Sequence, residues 1–358
     1  MASNHKLRLT AIFLALSGLP SCGYSDGNAG GPVFTLGFGY SANTTSSDLS
    51  IFQGGVDSKI LAKTGTFSSL SSPTAVAIGQ AGPYLFVANS GNSTVSSFLI
   101  STSDGSLTKL SDASGGTGTV AVASVGNFVY SVNSTANTIS AFQVSGGVLS
   151  SLGSTTAVGS IPQGLAGDPT GSFLFVASEG SNQLSSYSIN SATGGLTLIN
   201  SVATANLPTG VVVDPVANFI FVSAASGNIS VIQYSSAGTL TFLSSHAVGS
   251  GSGDTNGVAI DPTGRFIYAA NPQDNTVSVC SFDGSSALTD VGTQPTLDHP
   301  VSLTMDVHSS NLFVVQAGTS NTIGQYKISG SGGMTLLSNQ SAGIKPQGFA
   351  ILYKTQPR

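Results

Sequence analysis

Charge is scarce in this 358-residue chain: Asp, Glu, Lys and Arg together make up 7% of it, against 40% hydrophobic residues. There are 15 acids, 10 bases, four His and two Cys. Only one residue, Glu179, is a glutamate. Each shortage excludes something. Two cysteines cannot make a disulfide framework or a cysteine-based zinc module. A base-poor, acidic surface is unsuited to nucleic acid, which needs clustered Lys and Arg to neutralise phosphate. Low charge here does not mean disorder, because the apolar content is high and periodic. No segment after residue 22 sustains a helical period, so the 45 glycines cannot form phosphate-cradling strand-to-helix turns. The Gly-x-Ser stretches likewise lack the strand-to-helix elbow of a serine hydrolase.

What the chain does have is a repeat of about 46 residues, present seven times. One register falls on Phe52, Phe98, Phe142, Tyr187, Ile232, Cys280 and Tyr326. A second falls on Thr74, Thr119, Gln163, Thr209, Asn256, Val301 and Gln347. Each unit contains short apolar or alternating runs, clearest from Asn256 to Phe282, followed by Ala287 to Val291. These runs carry the strand signature. Asp168-Pro-Thr-Gly171 and Asp261-Pro-Thr-Gly264 suit type I turns, and Asp214-Pro215 repeats half of that pattern. Four antiparallel strands per unit of this length is the pattern of a propeller blade. The expected fold is therefore all-β, a seven-bladed β-propeller over residues 32–358. The last copy of the inner strand, Gln347–Tyr353, ends the chain without partners, while Tyr40–Phe52 aligns with Phe86–Phe98 without a gap. The N-terminal strands should therefore pair with the C-terminal strand and leave no open edge.

Residues 1–21 read as an export signal. His5, Lys6 and Arg8 precede an apolar run from Leu9 to Leu19 that is too short to span a bilayer. Leu19-Pro-Ser-Cys22 is similar to a bacterial lipobox, which makes Cys22 the candidate lipidated residue, with residues 22–31 as a flexible tether. Without Lys6 and Arg8 the mature chain has 8 bases against 15 acids. The expected location is the bacterial cell envelope, anchored only through Cys22, or else the secreted fraction. Cys280 occupies a repeat position that other blades fill with Phe, Tyr or Ile, and reads as a buried apolar thiol.

In a propeller the loops leading into the inner strands and those joining the second and third strands share one face. Asp254, His299 and Lys345 precede inner strands, and Gln163 and Gln347 begin them. Asn89, Asn133, Glu179, Asn271, Asp274 and Gln316 follow second strands, whereas Arg265 follows an Asp-Pro turn on the far face. Glu179 and His299 are thus the candidate catalytic residues, His299 having Asp298 beside it. Gln163, Asn271, Lys345 and Gln347 are the candidate ligand-binding residues. A lone His with no second His at ligand spacing predicts no metal; no cofactor is expected, and neither His246 nor His308 is assigned a role.

The recurrent pattern carried by Thr74–Phe98, Gln163–Tyr187 and Asn256–Phe282 resembles the seven-bladed lactonase family, which includes propeller-type 6-phosphogluconolactonases and carboxymuconate cyclases. Phe86-Val-Ala-Asn89 and Tyr268-Ala-Ala-Asn271 are also similar to the Tyr-Val-Thr-Asn repeats of surface-layer propellers. The lactonase resemblance implies His residues ahead of one inner strand, an Arg-His pair at the start of the next, and a Glu after that blade's second strand. Glu179 stands at the Glu position, within Phe175-Val-Ala-Ser-Glu-Gly180. The pair position reads Gln163-Gly164, and the preceding blade leads in through Gly116-Thr-Gly-Thr119 without His. Two functions follow as expectations. The first is a monomeric, envelope-anchored propeller lacking the full catalytic set, binding a carbohydrate, lactone, glycan or envelope protein on its top face. The alternative is a lactone hydrolase of the 6-phosphogluconolactonase kind, with Glu179 as acid or base.

Overall fold

The computed structural model describes residues 33–54, 61–249, 255–306 and 311–356. The candidate signal and tether, Cys22, Asp254 and His308 lie outside the described residues. The described residues form seven separate four-stranded antiparallel sheets. Blades 2 to 7 are continuous in sequence, with inner strands Pro73–Ile78, Thr119–Val125, Pro162–Gly167, Pro208–Val213, Val258–Ile260 and Pro300–Asp306. Blade 1 closes the ring. Its inner strand is the C-terminal Pro346–Gln356, paired with the N-terminal Val33–Asn43, beyond which lie Asp48–Gly54 and Ala62–Phe67. Successive inner strands touch from blade 1 round to blade 7 and back to blade 1.

Among the described residues the buried apolar side chains form seven clusters, and each spans two neighbouring blades. Phe221, Ile229 and Val231 of blade 5 meet Ile267, Ala269 and Phe282 of blade 6. Phe52 and Phe349 of blade 1 meet Phe313, Val315 and Ile323 of blade 7. The second and third strands are therefore buried on both faces, and each large side chain buried contributes about 1.5–3 kcal/mol. Residues of the inner strands such as Thr74–Ile78 and Thr209–Val213 are only half-buried, so these strands face the central axis.

Both sequence registers mark a β-bulge. In every blade the pairing of third and outer strands shifts at the aromatic register, immediately before Phe52, Phe98, Tyr187, Ile232, Cys280 and Tyr326 and around Phe142. All seven of those side chains are buried. The second register marks residues skipped in the pairing of inner and second strands: Thr74, Gln163, Thr209, Val301 and Gln347. In blade 3 the skipped residue is Val120, not Thr119, whose Cα pairs with Asn133 as Pro73 pairs with Asn89. The sequence register is thus one residue early there, because the hydroxyl at Thr119 mimics the repeat's Thr.

Blades also approach each other closely at the axis. A Cβ on Gly257 would lie 2.8 Å from the Ser302 Cα and 3.0 Å from the Leu303 nitrogen, and one on Gly164 would lie 2.5 Å from the Thr209 carbonyl oxygen. Hydroxyls bridge the same gap: Thr74 donates to the Val120 carbonyl at 2.8 Å, and Ser223 to that of Asn256 at 2.7 Å. Further out, the Tyr40, Tyr130 and Tyr268 hydroxyls donate to the carbonyls of Gly105, Gly194 and Gly332 in the next blade at 2.8–3.0 Å. Gly257→Ala is expected to cost about 1–3 kcal/mol, because backbone of blade 7 must move. Gly330→Ala, where a Cβ meets nothing within 4 Å, should stay within about 0.5 kcal/mol. Paired thermal melts check this; equal Tm losses would argue against close inner-strand packing.

Candidate functional site

The two loop classes do share one end of the molecule. The Glu179 and Gly180 N–H groups donate to the Ile161 and Ser160 carbonyls, each at 2.9 Å, and Ser90 N–H donates to the Ser72 carbonyl at 3.1 Å. A repeated latch ties blades 2, 3, 4, 6 and 7 to their successors at this rim. In the turn after the second strand, Asn137, Asn182, Asn275 and Asn321 adopt left-handed φ of 47–56°. Their Oδ1 atoms accept from the backbone N–H of Ile161, Leu207, His299 and Lys345 at 2.7–2.8 Å. Ser93 serves Gly118 in the same way at 3.2 Å. The latched residues also have positive φ, 51° at Ile161, 61° at Leu207, 37° at His299 and 55° at Lys345, and each of these four precedes a proline. Left-handed conformation is a true outlier for a β-branched residue such as Ile161, and strain of this kind gathers at ligand clamps. Ile161 and Leu207 nevertheless hold their apolar side chains 44% and 43% exposed.

Glu179 begins a three-residue 3₁₀ turn, Glu179–Ser181, closed by Asn182 at φ 52°. Its neighbour Ser178 stands where Asn43, Asn89, Asn133 and Asn271 end the second strands of other blades. Those asparagines are scaffold. Asn271 is 2% exposed; its amide nitrogen donates to Thr276 and Ser278 and its oxygen accepts from Thr255. Asn43, Asn89 and Asn133 repeat the donation to residues five and seven positions later. The Asn271 amide thus spends its hydrogen bonds within the blade. In blade 4 the bracket is missing, and the buried Ser178 hydroxyl has no protein partner.

Gln163 is the bulged residue of blade 4, and a bulge turns a side chain out of the ladder. Its Nε2 donates to Glu179 Oε2 at 2.6 Å. Two of the residues singled out in the sequence thus meet: a carboxylate with a fixed amide partner, half-buried beside Ile161 at the mouth. His299 and Lys345 lie elsewhere. They are latched residues of blades 7 and 1, adjacent to each other and three blades from Glu179 in either direction round the ring. Gln347 is the bulged residue of blade 1. His299 is not polarised by Asp298. That carboxylate accepts from the Thr319 hydroxyl and the Ser320 N–H, both at 2.9 Å, and from the Ser320 hydroxyl. Burial opposes ionisation of Asp298, but these hydrogen bonds outweigh it and hold its carboxyl below the usual carboxylate range. The Asp-Pro carboxylates are turn-formers, as Asp261 shows by accepting from the Arg265 and Phe266 N–H groups at 2.7 Å.

The bulged ring facing the axis reads Thr74, Val120, Gln163, Thr209, Val301 and Gln347, with Asn256 at the blade 6 position. It carries no charge. Among the described residues Lys345 is the only Lys or Arg in the loops of this face.

The family model described as lactonase, seven-bladed β-propeller, matches residues 111–214 and 212–352. The chain belongs to the lactonase family. No curated protein matches closely enough to count as a relative. Among solved structures, a Bacteroides fragilis protein provisionally assigned as a 6-phosphogluconolactonase superposes with a TM-score of 0.80 at 17% identity, covering 88% of this chain and 98% of that one. A similarly assigned Bacteroides uniformis protein gives 0.81 at 17%, covering 88% and 99%. The periplasmic gluconolactonase of Pseudomonas aeruginosa gives 0.77 at 16%, covering 89% and 99%. At these identities the likeness speaks for the fold. In this lactonase-family propeller Gln163 and Glu179 are in direct contact.

The latch makes a graded prediction at Asn182, which both secures Leu207 and closes the Glu179 turn. Asn182→Gly keeps the left-handed backbone and loses one hydrogen bond, about 0.5–1.5 kcal/mol. Asn182→Ala adds a left-handed penalty of about 1–2 kcal/mol. Denaturant unfolding should therefore rank wild type above Gly above Ala; Ala equal to Gly would show the backbone conformation is not enforced.

Proposed function

We propose that this protein hydrolyses an uncharged sugar-type lactone at the mouth of the ring, with Glu179 as the general base. The observation that carries the reading is the 2.6 Å bond from Gln163 to Glu179, formed between the two positions where the family resemblance implies catalytic groups. In this scheme the Glu179 carboxylate takes a proton from a water molecule as its oxygen adds to the lactone carbonyl. The tetrahedral intermediate collapses, the ring C–O bond breaks, and the leaving alkoxide takes back the proton held by Glu179, giving a hydroxy acid and regenerating the carboxylate. Gln163 holds the carboxylate in one orientation, and Ile161 and Leu207 offer apolar surface to the C–H face of a ring.

Among the described residues the bulged ring beside Glu179 carries no Lys or Arg, and that sets the substrate class. A phosphorylated or polycarboxylate lactone needs positive charge for binding and for its oxyanion, and the bulged ring holds only amides, hydroxyls and valines. The name of the Pseudomonas aeruginosa neighbour, a periplasmic gluconolactonase, supports an unphosphorylated substrate met outside the cytoplasm. The same lack of cations favours a second reading, a non-catalytic module that binds a glycan or envelope protein on this face. Family membership and the fixed Gln163–Glu179 pair support hydrolysis over it.

Lactone hydrolysis by the purified mature domain, followed as acid release, decides between the two. Unphosphorylated aldonolactones should be turned over with kcat/KM at least about tenfold above that for 6-phosphogluconolactone, and Glu179→Gln should lower kcat by about 10²–10⁴. Activity indifferent to that substitution sinks the role of Glu179, and no activity across the panel favours the binding module. Export and anchoring at Cys22 are part of the proposal. Fatty-acid labelling should mark the wild-type chain and not Cys22→Ser; equal labelling would overturn the anchor.

A further inference from the structure

Three departures from the repeat converge between blades 5 and 6, on their third and outer strands. At the aromatic register six blades hold Phe, Tyr or Ile, and blade 6 holds Cys280. Its outer-strand partner is Asp290, where other blades place Lys63, Lys109, Ser151, Leu198, Phe242 and Leu336. The third is His246 on the outer strand of blade 5, opposite Ile229, at a position held elsewhere by Phe67, Ala113, Thr156, Val202, Gln294 and Gln340. His246 Nε2 lies 2.8 Å from Asp290 Oδ1, Cys280 Sγ lies 3.7 Å from the same oxygen, and all three ligand atoms lie within 4.8 Å of one another. No other trio of His, Cys, Asp and Glu among the described residues comes together in this way.

We propose that His246, Cys280 and Asp290 form a site for a divalent transition-metal ion of borderline softness, such as zinc. Imidazole, thiolate and carboxylate are the ligand set such ions favour. Around a tetrahedral zinc, with bonds of about 2.0–2.3 Å, ligand atoms sit roughly 3.3–3.8 Å apart. Cys280 and Asp290 already meet that spacing. His246 needs to move by roughly an ångström, and with Asp290 side chain 71% exposed and His246 25% exposed, two of the three ligands can adjust. Cys280 is fully buried and packs in the core shared by the two blades, which fixes the sulfur. Exposure on the Asp290 side leaves a fourth position for water. Binding would release the thiol proton to solvent and join two blades across their outer edge. Sequence spacing conceals the trio, whose members lie 34 and 10 residues apart on two blades.

Cobalt titration of the tag-free full chain tests the site, in a Cys22→Ser background so that Cys280 is the only thiol. The expected result is a near-ultraviolet thiolate-to-cobalt band saturating at one equivalent, displaced by zinc. His246→Ala and Asp290→Asn alter partly exposed side chains and carry the test should Cys280→Ser fail to fold. Each should weaken binding by about tenfold or more. No thiolate band, or a band unchanged by His246→Ala, would leave an ordinary His246–Asp290 ion pair and overturn the proposal.

Discussion

Everything in this molecule depends on burial between neighbouring sheets. A four-stranded sheet that is apolar on both faces has no stable form alone, and here each face is covered by the next blade in seven clusters, each shared by two blades. A chain of blades would leave its end faces bare. Ring closure is therefore an energetic requirement, and the sharing of blade 1 between Val33–Gly54 and Pro346–Gln356 meets it with backbone hydrogen bonds between the two chain ends.

With so few charges, the polar wiring falls to amides and hydroxyls. Asparagines bracket the turn after the second strand in blades 1, 2, 3 and 6, a second set in left-handed conformation latches blades 3, 4, 6 and 7 to their successors, and tyrosine hydroxyls span blades further out. Neutral groups cost less to bury than charges and still satisfy the backbone. One consequence is a rim whose latched residues are set by the scaffold while their side chains vary freely: Ile161, Leu207, His299 and Lys345 share one backbone geometry and four different chemistries.

Function is to be sought where the repeat is broken. Blade 4 lacks the asparagine bracket and carries the chain's only glutamate, held by the amide of a bulged glutamine. Blades 5 and 6 bring His, Cys and Asp together at positions that the other blades fill with other residue types. In both places the surrounding blades provide the comparison, since the same backbone recurs with inert side chains.

The sequence by itself determined the blade count, the strand period, the turn-forming role of Asp168, Asp214 and Asp261 and the closure of the ring. These depend on alternation and turn chemistry, which act within a few residues. It also placed Glu179 and Gln163 on one face, because blade topology sorts loops by their order in the chain. Only the tertiary structure decided which polar side chains remain available. Asn271 and Glu179 look equivalent in the sequence, yet one is consumed by Thr255, Thr276 and Ser278 while the other faces the mouth. The one-residue shift at Val120, the left-handed latches and the meeting of His246 with Cys280 and Asp290 likewise arise from how strands slip and blades pack. Such contacts join residues tens of positions apart, and no local pattern records them.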